Sequence, residues 1–166
     1  MTRAAIFALA MLATPALAEP AFEQHFSPVE NLEAIDVALI DAAGETVDFA
    51  AYVLTDTAVI EALGNAALRG VKVRVFRDNG DFDRGRVGED LAALERDGAE
   101  IRYKEPGRPL MHLKAGCLDG NVFRFGAANF SPSGLKRQAN DLAVLRGPDV
   151  CDKFEATFER LWSGKW

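Results

Sequence analysis

Apolar residues along this chain recur in two alternating rhythms. Leu32, Ile35 and Leu39 return at the three- and four-residue spacing of a helix face and stop at Gly44. Ser27-Pro28-Val29-Glu30 reads as a capping box with proline at the first helical position, so the helix is predicted to start there. Val47 to Leu54 is a nearly continuous apolar run with β-branched and aromatic members, the pattern of a strand covered on both faces. Thr55 and Asp56 offer caps for a second helix carrying Val59, Ile60, Leu63 and Ala67, which Gly70 closes. Val71, Val73 and Val75 then alternate with Lys72 and Arg74, a period of two that predicts a half-buried strand.

The stretch from Asp78 to Gly88 breaks both rhythms and reads as a surface loop. Its Asp78-Asn79-Gly80-Asp81-Phe82-Asp83 resembles a calcium loop, but Gly80 falls at a ligand position and Asp83 where the turn needs glycine. A third helix is expected around Leu91 and Leu94 up to Gly98, then a strand from Ile101 to Lys104 and a turn through Glu105-Pro106-Gly107-Arg108-Pro109. His112 to Leu118 and Val122 to Phe125 flank Asp119-Gly120-Asn121, a hairpin signal. Leu142 to Leu145 supplies another strand, and Val150, Phe154, Phe158 and Leu161 form the stripe of a last helix. The alternation predicts an α/β fold with a mixed β-sheet sandwiched by helices.

Composition then narrows the class. With 49% hydrophobic and 27% charged residues, the 166-residue chain is that of one globular domain, and disorder is excluded. Arg3, the apolar stretch Ala4 to Ala13, Pro15 and the small-x-small triplet Ala16-Leu17-Ala18 read as a secretory signal peptide cleaved after Ala18. The apolar run falls short of the ~20 residues that span a bilayer. Residues 19–166 are therefore expected to be a single periplasmic or secreted domain. Its two cysteines, Cys117 and Cys151, can form one disulfide in that compartment, or remain two buried thiols. No zinc-ligand spacing and no nucleotide-binding glycine fingerprint occurs, so no metal or cofactor is expected.

A net charge of −6 excludes a generally basic nucleic-acid coat. Between Ile101 and Arg137, however, Arg102, Lys104, Arg108, Lys114, Arg124, Lys136 and Arg137 face only Glu105 and Asp119. The chemistry lies in this same basic third. Strand alternation puts His112 and Lys114 on one face, with Gly116 next on that face leaving open space. Gly126-Ala127-Ala128-Asn129 ends the partner strand and brings the Asn129 amide to the same opening, with Ser131 two residues on. An imidazole, an ammonium and an amide suit a phosphate group, whose non-bridging oxygens they can hold. His25, the other histidine, falls in a polar lead-in and reads as a plain surface residue.

His112-x-Lys114, four residues, Asp119, six residues, then Gly126-x-x-Asn129 resembles the signature of the phospholipase D superfamily. The order of elements and the single motif are similar to the branch that holds small exported bacterial endonucleases and mitochondrial cardiolipin hydrolase. The resemblance implies a phospholipase D/nuclease-like domain and a metal-independent phosphodiesterase that works as a homodimer. In-line attack by one imidazole needs a proton donor on the opposite side, and a twofold axis would supply it as the partner's His112. The resemblance implies that His112 forms a phosphohistidine, that Lys114 and Asn129 bind phosphate oxygens together with Ser131, and that an acid at Asn140-Asp141 orients the histidine, for which Asp141 is taken. Asp119, on the opposite parity from His112, is expected to tie strand to turn, and Ala127 replaces the serine common in the family. Nucleic acid is the expected substrate. Phospholipid is the alternative, for which Leu110-Met111 and Phe130 could meet acyl chains, and a phosphate-binding module without catalysis is the third reading.

Overall fold

The computed structural model describes residues 21–78 and 84–165. The expected leader and cleavage site lie outside them, as do residues 79–83 of the expected loop. Seven strands, β1 (Ala21–Ser27), β2 (Thr46–Ala51), β3 (Lys72–Arg77), β4 (Glu100–Tyr103), β5 (Lys114–Leu118), β6 (Val122–Gly126) and β7 (Asn140–Arg146), form one mixed sheet in the order β1-β7-β6-β5-β2-β3-β4. The β2-β3-β4 half is parallel, and β5, β6, β7 and β1 pair antiparallel. Helices α1 (Leu32–Ala42), α2 (Thr57–Leu68), α3 (Arg86–Arg96), α4 (Pro132–Lys136) and α5 (Asp152–Trp162) complete the described residues.

Alternation along β2 assigns the faces. Val47, Phe49 and Ala51 enter one apolar core with Leu32, Ile40, Leu63, Leu94 and Leu135 of α1 to α4. Ala50 enters a second, smaller core with Phe154, Phe158 and Leu161 of α5. One face is thus covered by four helices and the other by α5, which lies over β2, β3 and β5. Arg74 of β3 holds α5 down: it forms two hydrogen bonds with Asp48 (2.7 and 2.6 Å), an ion pair with Glu159 (2.7 Å), and lies over the Phe158 and Trp162 rings. The Asp48 carboxylate, and then that of Glu159, push the guanidinium pKa up. Cys117 of β5 and Cys151 before α5 form a disulfide with their Cα atoms 5.9 Å apart.

Several local expectations need correction. The capping box at Ser27-Glu30 does not form. Residues 21–27 are an edge strand paired with β7, and α1 is capped four residues later by Asn31, whose side chain accepts from Ala34 N–H (3.4 Å). Ser27 instead donates its hydroxyl to Gln138 O (2.7 Å), and Glu30 accepts from Phe26 N–H (2.9 Å). His25 lies in β1, its ring 2.7 Å from Glu30 Oε1. Helix α3 begins at Arg86, inside the expected loop. Gly116 does not leave open space: the Phe49 ring fills it, 2.4 Å from where a Cβ would stand.

The disulfide closes a loop over a sequence separation of 34 residues. Cys151→Ser is expected to lower stability by about 3–4 kcal/mol, read as a fall of the urea midpoint with a steeper slope, because the unbridged denatured chain exposes more surface. An unchanged midpoint would mean that the bridge contributes nothing.

Candidate active site

His112, Lys114, Asn129, Ser131 and Asp141 lie at one end of the sheet, where β2 and β6 finish and β5 and β7 begin, whereas Asp119 lies at the opposite end. One extended segment gathers them. Beyond β2, Tyr52 N–H donates to Leu113 O (2.9 Å), Val53 O accepts from Phe130 N–H (3.2 Å), and Thr55 and Asp56 N–H both donate to Phe130 O (2.8 and 3.1 Å). Residues 52–56 therefore grip the chain just before Lys114 on one side and just after Asn129 on the other. On the far side, the Asp78 carboxylate accepts from Met111 N–H (2.8 Å) and anchors the approach to His112.

His112 precedes the first residue of β5 and is exposed, whereas Lys114, pointing into the four-helix face, is buried. Lys114 Nζ donates to His112 O (2.9 Å) and lies 4.9 Å from the centre of the Tyr52 ring, which in turn stands 4.5 Å from the His112 ring. Burial lowers the Lys114 pKa below the usual 10.5, because a dry surrounding disfavours the charged form. Tyr52 was not singled out by the sequence. An aromatic ending an aliphatic strand run was its one signal, and its place beside both His112 and Lys114 follows from strand pairing.

Asn129 sits on a tight support. Ser131 caps α4, its Oγ accepting from Gly134 N–H (3.1 Å), which leaves a hydroxyl proton to donate. Gly134 backs directly onto Asn129, whose carbonyl oxygen is 2.5 Å from where a Cβ would stand. The Asn129 side-chain oxygen is buried with no hydrogen-bond partner among the described residues. Lys136, at the end of α4, pairs with Glu33 of α1 and lies 3.7 Å from Asp56 at the start of α2. Burial, reinforced by the hydrogen bond to Glu33, raises Asp56 to about 6.

Arg124, counted among the cations of the basic segment, is not at the surface. It is fully buried. It makes two hydrogen bonds to the equally buried Asp36 (2.6 and 2.8 Å), donates to Lys114 O (2.8 Å) and lies 4.2 Å over the Phe130 ring. Burial pushes the Asp36 pKa up, against the pull of the guanidinium. Gly126 is required by close approach, since a Cβ there would stand 2.3 Å from Asp141 O. Asp141 accepts from Ala127 N–H (3.1 Å) and so braces the Gly126–Asn129 turn, while Asn140 donates to Gly134 O (2.8 Å) and holds α4. Asp119 adopts a φ of 51° and accepts from Gly44, Glu45 and Thr46 N–H (2.8 to 2.9 Å), joining the hairpin to the start of β2. Burial works to raise its pKa, but these three donors outweigh it and hold the carboxyl below the usual aspartate value.

Residues 37–162 match the family described as "Cardiolipin synthase, PLD-like domain", and the chain belongs to this phospholipase D-like family. Mitochondrial cardiolipin hydrolase of Chlamydomonas reinhardtii is 23% identical over 124 residues, covering 74% of this chain and 54% of that protein. Phospholipase D of Rickettsia felis is 28% identical over 116 residues, covering 69% and 56%. The chain thus spans a little over half the length of these relatives. Among solved structures, the phospholipase D family member Nuc of Salmonella typhimurium superposes with a TM-score of 0.78 at 23% identity, over 87% of this chain and 95% of Nuc. NucT of Helicobacter pylori gives 0.73 at 18%, over 87% and 97%. The fold is therefore that of the phospholipase D family.

Arg124→Met would leave Asp36 buried without its countercharge and Lys114 O without a donor. A loss of about 3–5 kcal/mol is expected in denaturant unfolding, whereas a variant as stable as the parent would show that the pair does not anchor the site.

Proposed function

We propose that the protein is a phosphodiesterase in which His112 is the nucleophile, carried by one observation: an exposed imidazole beside a buried ammonium, with the Asn129 amide, whose Nδ2 can donate, at the same end of the sheet. An imidazole nitrogen of His112 attacks phosphorus, the bond to the leaving oxygen breaks, and a phosphohistidine forms. An acid on the opposite side protonates that oxygen and then, as a base, takes a proton from the water that releases the second product. Lys114 and Asn129 hold the non-bridging oxygens, with the Ser131 hydroxyl as a further donor, and these fixed groups supply the charge stabilisation without a metal. Asp141 holds the Ala127 backbone and so the turn that carries Asn129.

The second imidazole comes from a second copy of the chain. His25, the other histidine, is engaged with Glu30 on β1. The sheet face beside α5 supports pairing: Leu113, Phe123, Phe125 and Leu145 border a cavity of about 640 Å³ there, and Leu113 and Phe125 are 39% and 36% exposed. This apolar surface continues from the residue next to His112. A twofold axis there would bring two His112 side chains to one phosphate.

Nucleic acid is the substrate this surface supports first. A groove lined by Leu110, His112, Arg160 and Leu161 continues past Leu161 to Arg102, Tyr103 and Trp162. Arg102 lies over the Trp162 ring (4.3 Å) and Glu105 lines the same stretch, so it is the guanidinium groups of Arg160 and Arg102 that suit a strand's phosphate backbone. Phospholipid is the second reading. Leu110 is 60% exposed beside His112, whereas Met111 and Phe130 are buried and belong to the core rather than to a lipid rim. The names of the two curated relatives favour it as well. The disulfide supports export to an oxidising compartment, where such bonds persist.

In EDTA, the protein is expected to cleave single-stranded DNA or RNA in preference to phosphatidyl vesicles, with turnover falling steeply as salt rises. His112→Ala should reduce it by ~10³-fold or more. Cleavage of vesicles alone would establish the lipid reading, and no His112-dependent turnover would leave a binding module. By light scattering the protein should be a dimer that Phe125→Asp dissociates with loss of activity. A fully active monomer would sink the shared site.

A further inference from the structure

Beside the phosphate-binding turn lies a hollow that the mechanism leaves unused. Its volume is about 510 Å³, and Gln24, Phe26, Ser27, Ala127, Asn140 and Asp141 line it. The register explains why its chemistry converges. Gln24 and Phe26 stand two residues apart on one face of β1, and Phe26 pairs across the strands with Asp141, so all three side chains share that face. Ala127 joins the hollow to the turn that ends in Asn129.

The donors and acceptors define what fits. Ser27 Oγ donates to Gln138 O and Asn140 Nδ2 to Gly134 O, so both of these groups already serve the fold. Asp141 Oδ1 accepts from Ala127 N–H, which leaves its other oxygen, the Gln24 amide and the Phe26 ring, 51% exposed. The described lining contains no Lys or Arg, so a phosphate would meet the Asp141 charge uncompensated. An acyl chain would desolvate a carboxylate and an amide for one ring contact. A flat neutral heterocycle with an exocyclic amine answers all three groups: it stacks on Phe26, donates to Asp141 and exchanges hydrogen bonds with Gln24.

We propose that this hollow is a nucleobase subsite, which seats the base of a nucleotide next to the scissile phosphate on Phe26 and favours bases that carry an exocyclic amine. The proposal rests on the nucleic-acid reading of the active site. It makes Phe26 and Gln24 specificity residues, separate from the groups that act on phosphorus.

The test compares steady-state cleavage of single-stranded oligodeoxynucleotides of dC or dT with that of an abasic oligomer of equal length. Loss of one stacked base should raise KM for the dC oligomer about 5- to 100-fold in Phe26→Ala. The same variant should cleave the abasic oligomer as the parent does, and Phe26→Trp should restore the parent KM. Gln24→Ala should narrow the preference for dC over dT. Equal losses on abasic and base-bearing oligomers, or parent-like KM on both, would overturn the subsite while leaving the nuclease intact. A parent that cleaves phospholipid and no oligomer would overturn the reading on which the subsite rests. Loss of selectivity for phosphatidylcholine in Phe26→Ala would then reassign the hollow to an ammonium head group.

Discussion

The buried pair of Arg124 and Asp36 is the constraint on which the site depends. A guanidinium and a carboxylate removed from water repay their desolvation only when geometry is good and further hydrogen bonds take up the remaining protons. Here Asp36 takes two, Lys114 O takes another, and the flat face of the guanidinium rests on Phe130. Each contact ends on a different part of the fold: α1, the first residue of β5, and the residue after Asn129. An aliphatic side chain could fill the volume, but it could not fix these three parts in register. The interaction serves position more than stability.

Much of the framework was legible because burial leaves a period. β2, β3, α2, the hairpin and α5 all carry apolar residues at their own spacing. β1 escaped because its residues 23–25 are Glu, Gln and His, and an edge strand with mostly exposed side chains imposes no alternation. α4 escaped because five residues are too few for a helical stripe. The spacing of His112, Lys114, Gly126 and Asn129 was readable without knowing the fold, since a motif is local. Whether Arg124 is a surface cation or a buried one depends on Asp36, 88 residues away. The filling of the space at Gly116 likewise depends on Phe49 of a neighbouring strand. No window along the chain contains such facts.

The two basic groups of the motif differ because the strand ends between them. Lys114 is the first residue of β5, so its side chain follows the pleat into the helix-covered face and loses water. His112 lies beyond the pleat, its ring against Tyr52 and its carbonyl bonded by Lys114 Nζ, and stays exposed. A depressed lysine and an accessible imidazole, two residues apart, therefore arise from one strand boundary. Tyr52 packs near both, its ring 4.5 Å from the His112 ring and 4.9 Å from Lys114 Nζ.

The sheet also constrains how the chain can be made. Residue 21 pairs with residue 146, and β2, in the centre, lies between β3 and β5. A polypeptide synthesised from its N-terminus holds its first strand without a hydrogen-bonding neighbour until nearly the whole sequence exists, and contacts so distant in sequence form slowly. β2, β3 and β4 can pair long before that, so β1 is among the last of the described elements to be secured.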